Sequence, residues 1–141
     1  MKTISIKKDF NQYDVGNIDK ISLFKDKINV ENSNEVTLNL QHCIIDYPGT
    51  STIVDEVIRQ LKTQKGGKTL IILLELDDLP LIVLNSLFHG SKELGLDTKT
   101  GLVKQKDLDE AVSAHLAKNG ISIKIYRIDF DGNIVNEYYA K

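Results

Sequence analysis

The residue types best suited to chemistry are gathered in the stretch DYPGTSTIVDE, which holds Asp46, Tyr47, Gly49, Thr50, Ser51, Thr52, Asp55 and Glu56. A Pro-Gly turn is followed at once by three hydroxyls and then by a helical pattern. Backbone N–H groups and the positive end of a helix dipole would favour an anion at such a place. In a catalytic reading Asp46 is the acid or base beside that anion. Ordinary turn and cap chemistry accounts for the same residues, with Thr52 and Asp55 spaced as a capping box. Neither the GxxxxGK[ST] phosphate loop nor the dinucleotide glycine pattern is present, so nucleotide binding has little support.

Other reactive side chains are scattered. His42, His89 and His115 fall on three separate elements, without the paired spacing of a zinc site, and His115 sits on an apolar helix face as a packed residue would. Cys43 ends an apolar strand and reads as an inert core thiol. Asp129, Asp131 and Asn133 surround Gly132, but the twelve-residue calcium-loop spacing is missing and a hairpin turn explains them. Tyr126, Tyr138 and Tyr139 read as cross-strand packing on that hairpin. No metal and no cofactor is expected.

The elements that must position these groups follow from periodicity. Ile4 and Ile6 alternate with polar neighbours, predicting a lysine-rich edge strand over Lys2–Lys8. Ile18, Ile21, Phe24 and Ile28 recur at helical spacing, predicting one helix over Ile18–Val30 with Asn17 as its N-cap. Val36, Leu38 and Leu40 alternate as in a half-buried strand. Ile53, Val54, Val57, Ile58 and Leu61 then form the stripe of the clearest helix, stopped by Lys65-Gly66-Gly67.

Thr69–Leu74 is apolar on both faces, which suits a central strand covered on both sides and parallel to Val36–Leu40. Asp77, Asp78 and Pro80 open a second covering helix that runs to Gly95, and Asp97–Gln105 reads as an exposed loop. Asp107 can cap a helix through Leu116. Ile121, Ile123 and Ile125 begin a strand that turns at Asp131-Gly132 into an antiparallel partner. The expected fold is α/β: one domain over residues 1–141, a mixed sheet with covering helices and a C-terminal β-hairpin.

Composition excludes several classes of partner. Eighteen basic against twenty acidic residues leave a formal charge of −2, so no positive field draws nucleic acid or anionic lipid. The longest apolar run, Leu70–Leu74, is far shorter than the roughly 20 residues of a membrane helix, and no signal-peptide pattern opens the chain. A single cysteine fits a reducing compartment, and the expected location is cytoplasmic.

The run VTLNLQHCIIDYPGTSTIVDEVIRQL, with GGKTLIILLE and the following KELGL, resembles the STAS domain of anti-sigma factor antagonists and, more closely, the STAS-like domains. The resemblance covers about residues 20–96, leaving the helix and hairpin of 106–140 as an extension. In the antagonists an Asp-Ser-Ser-Gly type turn carries a phosphorylatable serine. Asp46 and Gly49 match its ends, whereas Tyr47 and Pro48 stand where the serines would be. Gly49-Thr50-Ser51-Thr52 followed by Asp55-Glu56 fits the STAS-like version of the turn.

What the resemblance implies is a non-catalytic regulatory module. It would bind a protein partner of the kinase-type ATPase class, with Thr50 or Ser51 as the phosphosite. The phosphate would act on binding and not on the fold. Thr52, Asp55, Glu56 and the loop Asp77-Asp78 would form an acidic contact face. Two other readings stand beside it: a small enzyme or ligand-binding domain with an anion site at the same turn, and a homo-oligomer paired through the hairpin edge.

Overall fold

The computed structural model describes residues 2–30, 32–45, 49–75, 110, 114 and 120–139, the last four of these by their backbone alone. Asp46, Tyr47 and Pro48, the expected helix from Asp77 to Gly95 with His89, the loop Asp97–Gln105, and His115 lie outside the described residues. Among the described residues no helix is long and apolar enough to cross a membrane.

Five strands form one mixed sheet: β1 (Lys2–Ser5), β2 (Glu35–Leu40), β3 (Lys68–Glu75), β4 (Ile121–Ile128) and β5 (Ile134–Tyr139). They lie in chain order across the sheet. The first four are mutually parallel, and β5 returns antiparallel on β4. The expected α/β fold with a mixed sheet is therefore present, with β3 central and parallel to β2 and β1 at an edge. The C-terminal hairpin is continuous with the rest, since β4 pairs with β3 along its whole length, from Lys68↔Ile121 to Glu75↔Ile128. Its turn is closed by Asp129, whose N–H donates to the Asn133 carbonyl at 2.9 Å, and Gly132 takes the left-handed conformation (φ 91°) that the Asp-Gly signal announces.

Parallel strands added in one direction by right-handed crossovers carry their connections on one face. The two described connections fit this rule. Ile21, Phe24 and Ile28 from the first, and Ile53, Val54, Val57 and Leu61 from the second, share one buried cluster with Ile4, Leu38, Leu40, Leu70, Ile72 and Ile123. On the opposite face Thr37, Asn39, Ile71, Leu73, Lys124 and Tyr126 are half-buried. Among the described residues the helices pack on one face of the central strand, and the other face is half-buried.

Three boundaries differ from expectation. The first strand stops at Ser5, and Ile6–Phe10 coils into a short helix, α1. The Asp9 carboxylate reaches back to accept the Ser5 N–H at 2.9 Å, a local bond that a continued strand could not make. The single helix expected over Ile18–Val30 is α2 (Ile18–Ser22) followed by a 3-10 turn at Lys25–Lys27. Asn17 caps it as predicted, accepting from the N–H groups of Asp19 and Lys20 at 3.0 and 3.2 Å. Ser22 then donates its hydroxyl back to the Ile18 carbonyl, and Phe24 leaves helical geometry at φ −128°. The long helix α3 begins at Gly49 and ends at Lys62, so Thr52 lies within it and not at its N-cap.

Candidate functional site

The start of α3 is set by what it packs against. A Cβ on Gly49 would sit 2.2 Å from the Val15 carbonyl oxygen and 2.7 Å from both the Gly16 carbonyl carbon and Ile21 Cδ1. Only a glycine admits that approach. The segment holding Val15 is itself pinned: Ile44 N–H donates to the Tyr13 carbonyl at 2.6 Å, and Val15 N–H donates to the Ile44 carbonyl at 2.9 Å. Thr50 Oγ1 completes the contact by donating to the Val15 carbonyl at 3.3 Å. Thr50 is consequently 0% and Ser51 1% exposed. Of the two hydroxyls that the sequence offers as phosphosites, Thr50 thus lies under the β1–β2 connection, and Ser51 beside it is buried.

Further along α3, Thr52 and Asp55 are half-buried and Glu56 is buried. With Lys25, Asp26 and Arg59 they line a groove of about 470 Å³ between the 3-10 turn and the helix. Arg59 donates through Nε and Nη2 to the two Glu56 carboxylate oxygens, at 2.8 and 2.6 Å. That hydrogen-bonded pairing holds the Glu56 carboxyl below its ordinary value. The expected acidic face is accordingly a face of mixed sign, because two cations stand among its carboxylates. Of its expected members, Asp77 and Asp78 lie outside the described residues.

A second constellation occupies the carboxyl ends of β2 and β3. His42 takes φ 62°, a left-handed conformation uncommon for a residue with a side chain. Its backbone N–H and its Nδ1 both meet Glu75 Oε2 at 2.8 Å. The ring packs on Phe130 of the hairpin turn with centroids 4.5 Å apart, and Gln41 Nε2 donates to the Phe130 carbonyl at 2.8 Å. A carboxylate at Nδ1 orients the imidazole ring. Neither residue stood out in the sequence as a member of a pair, since 33 positions separate them.

Cys43, next in the chain, is half-buried, and burial pushes its thiol up to about 11. It packs against the core cluster, in keeping with an inert thiol. Among the described residues no group of three or more His, Cys, Asp or Glu side chains is arranged to hold a metal ion.

Comparison of the chain with protein-family models, curated proteins and solved structures finds no match in any of the three.

Proposed function

We propose that this chain is a cytoplasmic, non-catalytic regulatory module that binds a protein partner through the groove between α3 and the Lys25–Lys27 turn. Modification of Thr50 or Ser51 would control that binding. The observation carrying the proposal is the groove itself. Thr52, Asp55, Glu56 and Arg59 of one helix and Lys25 and Asp26 of the facing turn offer a polar surface of both signs beside the hydroxyls. Such a lining suits a charged protein segment better than an apolar small molecule, because register between opposite charges supplies specificity. The STAS-like resemblance supports the same reading and points to a kinase-type ATPase as partner.

The experiment compares quantitative affinity purifications of the wild-type chain with Asp55→Lys, Thr50→Asp and an exposed control, Asp19→Lys. A partner retained by wild type and control but weakened about tenfold by the other two, roughly 1.4 kcal/mol, is the expected result. The reading fails when no captured protein distinguishes Asp55→Lys from the control.

The His42–Glu75 pair favours a second reading, a small ligand-binding or catalytic domain with its site at the carboxyl ends of the parallel strands. Binding or turnover of a phosphorylated or carboxylated small molecule that His42→Phe abolishes and Asp55→Lys leaves intact would establish it over the first.

A further inference from the structure

We infer that Tyr13–Gly16 is a strap that closes over the start of α3, and that it must lift before Thr50 can be modified. The consequence for modification rests on the phosphosite reading above; the strap itself rests on packing alone.

The strap is held from two sides. Its backbone makes the two bonds to Ile44, which together form an isolated parallel bridge between Asp14 and Ile44. Its inner side carries Val15, which is fully buried and whose carbonyl accepts the Thr50 hydroxyl. Asp14 Oδ1 accepts the Gly16 N–H at 3.2 Å, and Gln12 Nε2 donates to the Asp14 carbonyl at 3.2 Å, so the strap also braces itself. Its outer side is open, with Tyr13 50% and Ile44 59% exposed. A segment with one buried anchor and few long-range backbone bonds opens at lower cost than the sheet beneath it.

Closure and phosphorylation are mutually exclusive on steric and electrostatic grounds. The Gly49 position has no room for one methyl group against Val15 and Gly16. A phosphate on the neighbouring Thr50 would bring about −1.5 to −2 charges into a site with no exposure. A phosphorylated chain must therefore hold the strap open. Modification would then act on the local fold and expose the inner faces of Val15 and Ile21, in addition to any change in the groove.

The test places a thiol at the covered position, Thr50→Cys in a Cys43→Ala background, and follows alkylation by iodoacetamide under native conditions. Labelling slower than in the urea-unfolded chain, yet faster than global unfolding allows, is expected. Val15→Ala should raise the native rate about tenfold while amide exchange at Leu38 and Ile72 changes far less. Labelling at the unfolded-chain rate, labelling only through global unfolding, or equal acceleration at the thiol and the core amides would each overturn the strap.

Should the cysteine variant not fold, amide exchange in the unaltered chain carries the test. Val15 and Ile44 must then exchange by smaller openings than Leu38, and equal protection refutes the inference. A strap that passes while Thr50→Asp leaves partner binding unchanged removes the switch reading alone.

Discussion

Gly49 shows at the scale of one residue how the site is built. In the sequence it reads as part of a Pro-Gly turn, where its use would be conformational freedom. In the fold it is the first residue of α3, and its value is the absence of a Cβ beside Val15 and Gly16. Gly49→Ala is expected to destabilise the chain by about 2–3 kcal/mol, as overpacking against backbone does, measured by urea unfolding. A loss below about 0.5 kcal/mol would mean the strap does not press on the helix as described. The same contrast applies to His42. Cys43 was legible as a core thiol because it follows an apolar strand, whereas the His42–Glu75 pair depends on which strand ends become neighbours. That depends on sheet register, which local sequence does not carry.

At the scale of elements, the helix stripe of α3 was readable because Ile53, Val54, Val57, Ile58 and Leu61 keep strict spacing, and all five are buried. The broken helix over residues 18–27 was not readable, because it depends on short polar contacts competing with the apolar period. One such contact ties α3 to the chain just after the 3-10 turn: Gln60 accepts the Val30 N–H at 2.8 Å and donates to the Ile28 carbonyl at 2.7 Å. Beside it, the Glu56–Arg59 pair gives the element a pH signature.

A carboxyl whose folded pKa is lowered stabilises the fold above its unfolded value and ceases to do so as pH falls through the folded value. Glu56 is such a group, lowered from 4.5 chiefly by the Arg59 hydrogen bond. The stability difference between wild type and Glu56→Gln should therefore be constant near neutral pH and shrink only below 4.5. Urea titrations at several pH values check this. A difference that stays flat to about pH 3 would show that the pair contributes nothing.

At the scale of the whole molecule, the sequence indicated the class of fold but not the winding of the sheet. Every strand assigned from alternation is present, and an Asp-Gly turn correctly marked the hairpin. The sequence leaves strand order open, and the apolar content of both faces of Thr69–Leu74 points to cover on both sides. Strands laid down in chain order put the described helices on one face, so that Leu38 and Ile72 are fully buried while Asn39 and Leu73 of the opposite face are only half-buried. Parallel pairing keeps Leu38 beside Ile72 and Asn39 beside Leu73, which makes the two faces directly comparable.

Truncating a fully buried leucine or isoleucine removes its transfer energy and leaves a cavity, costing about 2–5 kcal/mol. A half-buried leucine gives up less water-excluded area and leaves a site that solvent can refill. Leu38→Ala and Ile72→Ala should each lower stability by about 3 kcal/mol or more, Leu73→Ala by roughly half as much, and Asn39→Ala by less than about 1 kcal/mol. Matched urea midpoints for the four variants make the comparison. Equal losses for Ile72→Ala and Leu73→Ala would mean that both faces of β3 are packed alike, against the difference in burial between the two residues.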